Sequence, residues 1–254
     1  MYTDLAWLWP VLSPKEDYVE ECEFIAGAIK QHARVVPRTL LHLGTGGGHN
    51  DYTLKRHFEV TGVDLSSAML DLARGLNPEV EYLEGDMRDV RLGRQFDAVI
   101  ILDSIGYMLT EEDLRRALAT GYDHLRPGGV FLTVVESDPA AFVQNKTKAW
   151  THSRGDVELT FIDNYYDPDP GDSTYECTFV YIIRERGRLR IETDSHLCGI
   201  FPMETWLDSF KSVGFEAKEL EFKFPGEEET PFPVLLGMKQ GAAQARFPEG
   251  PDHG

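Results

Sequence analysis

A chain of 254 residues, 42% of them hydrophobic, is long enough to bury a substantial core and fold alone as one large α/β domain or two small ones. Its 43 acidic against 25 basic side chains leave a net charge of -18, which argues against a nucleic-acid binder and against an anionic membrane surface. Three cysteines without metal or redox spacing, no basic-then-apolar start and no apolar run near ~18 residues predict a soluble, cytoplasmic, reduced protein without a disulfide.

Residues 1–13 collect Tyr2, Trp7, Trp9 and several leucines, a cluster that suits core, interface or a lid over a pocket. Ser13-Pro14-Lys15-Glu16 predicts a helix start with proline at its first position. The helix runs to about Gln31, with Tyr18, Cys22, Ile25, Ala26 and Ile29 on its apolar face. From residue 38 short β-rich runs alternate with helical patterns, the signature of βαβ units and a parallel sheet. The strands fall at 39–43, 58–63, 80–83, 96–102 and 129–135, and the helices at 49–56, 67–75 and 111–124.

Beyond Glu136 the pattern changes. Runs at 157–162, 175–184 and 189–195, separated by Asp167-Pro168-Asp169-Pro170-Gly171-Asp172 and Arg186-Gly187, predict an antiparallel insert. A helix at 203–213 and strands at 215–223 and 232–238 follow. The expected divisions are an N-terminal helical lid (1–37), a cofactor-binding core (38–136), the insert (137–200), a C-terminal helix and strands completing the core (201–239) and a disordered tail (240–254).

The chemistry gathers at strand ends. Gly44, Gly46 and Gly48 leave bare backbone after the first strand, and loop N–H groups followed by a helix N-terminus can seat an anionic group. The dinucleotide fingerprint needs glycine where His49 stands, so an NAD-dependent reductase is disfavoured. Asp64 closes the second strand, where a carboxylate can accept from two ribose hydroxyls or cap a helix. At the third strand Asp86 and Met87, with Met69, can serve an adenine amine and ring face; the alternative is a loop acid with two core methionines. Three such features at consecutive strand ends match where open α/β sheets bind ligands. The eight histidines show no metal-ligand spacing.

The segments Leu-His-Leu-Gly-Thr-Gly-Gly-Gly-His-Asn, Val-Asp-Leu-Ser-Ser-Ala-Met-Leu, Gly-Asp-Met-Arg-Asp, Phe-Asp-Ala-Val-Ile and Leu-Arg-Pro-Gly-Gly-Val occur in that order over residues 38–136. As a set they resemble the class I S-adenosylmethionine-dependent methyltransferases. The resemblance implies a Rossmann-like seven-stranded sheet with helices on both faces, an antiparallel β insert after the fifth strand, and S-adenosyl-L-methionine as cofactor. It places Gly44, Gly46 and Gly48 at the methionine portion, Asp64 on the ribose, Met69 and Met87 at the adenine, and Asp86 on its amine. His42 stands where the family usually has Asp or Glu, and would need to be neutral to accept from the cofactor's ammonium group.

Within the family, the run from Gly85 to Asp97, Asp-Ser-Ile-Gly-Tyr at 103–107 and His-Leu-Cys-Gly-Ile-Phe at 196–201 are similar to nucleotide-linked aminosugar N-methyltransferases. That similarity implies a small-molecule acceptor beside residues 104–107 and a possible homodimer through the insert. An in-line methyl transfer mainly requires alignment, and an ammonium acceptor must first lose a proton. Asp103, Tyr107 and His196 are the candidate bases or positioners, against bland roles as a turn cap, a core tyrosine and a satisfied strand histidine. An amine acceptor is favoured over a hydroxyl; a small-molecule O-methyltransferase and a catalytically silent cofactor-binding or assembly protein are the alternatives.

Overall fold

A computed structural model describes residues 1–135, 137–222 and 232–240. The chain starts with a 3-10 turn at Ala6–Leu8, the short helix α1 (Trp9–Leu12), a second 3-10 turn at Lys15–Tyr18 and the helix α2 (Val19–His32). The single helix expected from Pro14 is thus divided, with Pro14 itself extended and the Tyr18 hydroxyl bonded to Ser13 Oγ. Then come β1 (Thr39–Leu43), α3 (His49–Leu54), β2 (Glu59–Asp64), α4 (Ser67–Leu76), β3 (Glu81–Glu84) and β4 (Phe96–Ile101). A 3-10 turn at Asp103–Tyr107 leads to α5 (Glu111–His124) and β5 (Leu125–Val134). The Thr110 hydroxyl caps α5 by accepting from Asp113 N–H, as its sequence signature predicts.

After β5 run β6 (Lys146–Arg154), β7 (Val157–Tyr166), β8 (Thr174–Glu185) and β9 (Arg188–Gly199). The chain then forms α6 (Met203–Val213), β10 (Phe215–Phe222) and β11 (Phe232–Lys239). Strand β6 is absent from the sequence reading because it is an edge strand of mostly exposed polar residues without apolar alternation. Its Trp150 stacks on Phe161 of β7. Lys223 and residues 241–254, where the end of a strand and a disordered tail are expected, lie outside the described residues.

Seven strands form one sheet in the order β10-β11-β5-β4-β1-β2-β3, all running the same way except β11, which is antiparallel to both β5 and β10. Side chains alternate across it. Leu40, Ala98 and Ile100 pack with α2, α3 and α4, while Leu41, Val99 and Ile101 pack with α5 and α6. This alternation also sends His42 to the side of Leu40. Strands β6–β9 form a separate antiparallel sheet, the inner face of which packs Leu159, Phe161, Tyr181 and Ile183 against Leu8 and Val11 of the N-terminal segment. The chain winds from β1 to β2 and β3 on one side, then crosses to β4 and β5 on the other. The switch point beyond the carboxyl ends of β1 and β4 is where such sheets open a ligand crevice.

Candidate active site

The loop leaving β1 holds Gly44, Gly46 and Gly48 at φ of 72°, 56° and 72°, a left-handed region that favours glycine. A Cβ on Gly44 would overlap Ser104 Oγ and lie 2.9 Å from Met87 Cε. From the other side, Met69 Cε comes within 3.6 Å of a Cβ placed on Gly46. Both methionine methyls therefore stand beside the loop and give it a soft apolar wall. Trp9 covers Gly47, where a Cβ would come within 2.7 Å of the indole Cδ1. Ser104 Oγ, beside Gly44, and Asn50 Nδ2, at the start of α3, are buried without a hydrogen-bond partner among the described residues. The glycine cradle, the soft apolar wall and these orphaned polar atoms fit a ligand with a polar end and a flat apolar end.

Asp64 reaches back from the end of β2. Its Oδ2 accepts Gly46 N–H at 2.7 Å and its Oδ1 accepts Ser66 N–H at 2.8 Å, tying the loop to the start of α4. Each oxygen keeps a lone pair for a ribose hydroxyl. Asp86 stands at the same sheet edge but is engaged by Arg88, whose Nε and Nη2 donate to it at 3.0 Å and 2.6 Å. That guanidinium holds the Asp86 carboxyl below the usual carboxylate range. An adenine amine at Asp86 must share it with Arg88, a competitor that sits only two residues away in the sequence.

On the opposite side of the crevice, Tyr107 Oη lies 3.0 Å from Tyr2 Oη and 3.1 Å from His196 Nδ1. His196 Nε2 lies 3.1 Å from Asp194 Oδ2, which also receives the Met1 ammonium group. Two of the three catalytic candidates are thus neighbours, in contact with Tyr2 of the N-terminal segment and Asp194 of the insert. Burial and the Tyr2 hydroxyl push the Tyr107 phenol far up, so it stays protonated and can position a substrate but not act as a base at neutral pH. Asp103 is apart from this chain of contacts, exposed just beyond β4, and its side chain makes no hydrogen bond to a described residue.

Two acids escape the sequence reading. Asp51 on α3 is fully buried and bonded to His42, a meeting set by the side of β1 on which α3 packs. Glu21 on α2 is only 8% exposed, and its carboxylate makes no hydrogen bond to a described residue. Burial, and then the Asp103 carboxylate, push the Glu21 carboxyl up to about 8. Nothing in the helical pattern marked it, because its neighbours Glu20 and Glu23 look alike in sequence and are exposed. Between its ordinary 4.5 and about 8 the folded chain binds a proton that the unfolded chain releases, so this group lowers stability as pH rises through that window. Glu21→Gln is expected to raise the melting temperature at pH 9 and leave it nearly unchanged at pH 4. Equal shifts at both would show that Glu21 does not titrate in this way.

The three cysteines are thiols, with Cys177 and Cys198 Sγ 3.5 Å apart on β8 and β9. Among the described residues no helix is long and apolar enough to cross a membrane, and no group of three or more His, Cys, Asp or Glu is placed to hold a metal ion.

Residues 40–129 match the family model described as a methyltransferase domain. The chain is 31% identical over 211 residues to the dTDP-3-amino-3,4,6-trideoxy-alpha-D-glucopyranose N,N-dimethyltransferase of Streptomyces venezuelae, covering 81% of this chain and 86% of that one. It is 29% identical to the dTDP-3-amino-3,6-dideoxy-alpha-D-glucopyranose N,N-dimethyltransferase of Streptomyces fradiae, covering 80% of this chain and 79% of that one. Among solved structures, Streptomyces venezuelae DesVI superposes with a TM-score of 0.80 at 26% identity, over 89% of this chain and 94% of that one.

Proposed function

The chain belongs to the S-adenosylmethionine-dependent methyltransferases, and from that premise we propose that it methylates the amine of a nucleotide-linked deoxyaminosugar. The observation that carries this acceptor is the similarity, over four fifths of the chain, to a relative named for a dTDP-aminosugar. S-adenosylmethionine supplies an electrophilic methyl group on a sulfonium sulfur when bound. Gly44, Gly46 and Gly48 give its methionine portion close backbone contact, Asp64 takes the ribose hydroxyls, and Met69 and Met87 pack at the adenine, the amine of which Asp86 shares with Arg88.

Asp103 receives the acceptor's ammonium and takes one proton from it, which frees the nitrogen lone pair. With the cofactor bound, that pair would be free to bond the methyl carbon while the carbon–sulfur pair stayed with sulfur. Tyr107 and His196, held to each other and to Tyr2 and Asp194, orient the sugar so that nitrogen, carbon and sulfur lie in line. The N-terminal segment serves as the lid, and the β6–β9 insert supplies the acceptor side. Its outer face exposes Leu189, Ile191 and Leu197, which supports a homodimer contact. We place the protein in the cytoplasm, and assign it no nucleic-acid partner because of its acidity.

The test is mass spectrometry of a mixture of the full chain, S-adenosylmethionine and dTDP-3-amino-3,4,6-trideoxyglucose, beside the matching 3-hydroxy sugar nucleotide. Methylated amine is the expected product. Transfer to the hydroxyl compound alone would favour O-methylation, and cofactor binding without any transfer would favour the silent binding protein. Asp103→Asn is expected to lower kcat/KM for the amine by about a hundredfold. S-adenosylhomocysteine affinity should hold, which separates loss of the base from loss of the cofactor site.

A further inference from the structure

His42 fills the strand position at which the family resemblance leads one to expect an acid, and a carboxylate stands within one hydrogen bond of it. Alternation along β1 points His42 to the side where α3 packs, and Asp51 Oδ1 lies 2.7 Å from His42 Nδ1. The imidazole is 2% exposed and the carboxylate is completely buried. Asp51 Oδ2 already accepts the Thr45 hydroxyl and, at 3.0 Å, the Tyr82 hydroxyl. Tyr82 is held in turn by Asn77, whose Nδ2 donates to it at 2.9 Å and to Gly48 O at 2.8 Å. Burial and the Asp51 carboxylate push the Tyr82 phenol far up, which keeps it a donor. With both Asp51 oxygens accepting, His42 carries its proton on Nδ1. In the neutral ring Nε2 is then a lone pair, and it has no hydrogen-bond partner among the described residues.

We propose that His42 and Asp51 act as one unit that replaces the missing acid: His42 Nε2 accepts an N–H of the cofactor's ammonium group, and Asp51 is the positioning residue that fixes the ring and balances the charge behind it. This rests on the chain binding S-adenosylmethionine as its family does. It makes Asp51, together with Thr45 and Tyr82 behind it, part of the methionine-end seat. A buried imidazole whose Nδ1 is held by a carboxylate offers the ammonium group an acceptor of fixed tautomer and orientation, the arrangement that orients histidine ligands elsewhere.

The experiment is calorimetric titration of the full chain with two probes, S-adenosylhomocysteine and 5′-methylthioadenosine, the second of which has the nucleoside but no amino-acid end. Asp51→Asn is expected to weaken S-adenosylhomocysteine binding by about tenfold or more and to leave 5′-methylthioadenosine binding unchanged. The double variant His42→Asp with Asp51→Asn, which returns the acid to the strand, should recover most of the loss. Equal weakening of both probes, or of neither, overturns the proposal. Wild-type chain that binds neither probe instead overturns the cofactor reading itself. Should Asp51→Asn fail to fold, nitrogen NMR of the wild-type His42 ring decides. A proton on Nδ1 and an Nε2 signal that moves with S-adenosylhomocysteine but not with 5′-methylthioadenosine supports the unit; a proton on Nε2, or the same movement with both, overturns it.

Discussion

Replacing Asp64 by alanine is expected to lower S-adenosylhomocysteine affinity by about a hundredfold or more, since two hydrogen bonds to a charged group at ~1.5 kcal/mol each already amount to that factor. Calorimetric titration measures it. The loss has two parts that the structure separates. The alanine variant would give up the ribose hydroxyls, and it would also release Gly46 N–H and Ser66 N–H, which Asp64 now holds at 2.7 Å and 2.8 Å. Asp64→Asn keeps one oxygen acceptor and is expected to fall between the alanine variant and wild type. A drop for Asp64→Ala of less than about threefold, a difference of only ~0.7 kcal/mol, would remove Asp64 from the cofactor site.

Gly44→Ala is expected to damage both stability and methyl transfer. The left-handed φ of 72° disfavours any Cβ by about 1–2 kcal/mol. The added methyl also overlaps Ser104 Oγ and lies 2.9 Å from Met87 Cε, so it pushes the Asp103–Tyr107 turn away from the crevice. A melting temperature lower by about 4–12 °C follows for a total of ~2–3 kcal/mol in a chain of this size. Scanning calorimetry reads the stability, and single-turnover methyl transfer reads the site. Combining Gly44→Ala with Ser104→Gly should relieve the overlap but not the φ strain, recovering part of the stability. A double variant no more stable than Gly44→Ala would show that Ser104 is not what the methyl meets.

The alternation of β-rich and helical runs, the glycine loop and the strand-end acids were legible in the sequence because each depends on neighbours within a few residues. Period-two and period-3.6 patterns report which face of an element is apolar, and glycine marks a turn wherever it occurs. Strand β6 was not legible, since an edge strand with one partner needs no apolar face. The division of the first helix was missed for a related reason, because the Ser13–Tyr18 bond competes with the proline start signal.

By itself the sequence determined that the chain is an α/β protein with an antiparallel insert, and that Gly44, Gly46, Gly48, Asp64, Asp86 and Met87 stand at neighbouring strand ends, with Met69 at the start of the helix after the second. The tertiary structure alone decided what each polar group faces. It joined Tyr107 to His196 across 89 positions of chain, left Glu21 buried near Asp103, and set Asp51 behind His42. Partnership and burial of this kind arise from long-range packing, and one carboxylate in a sequence looks like any other until packing removes its water.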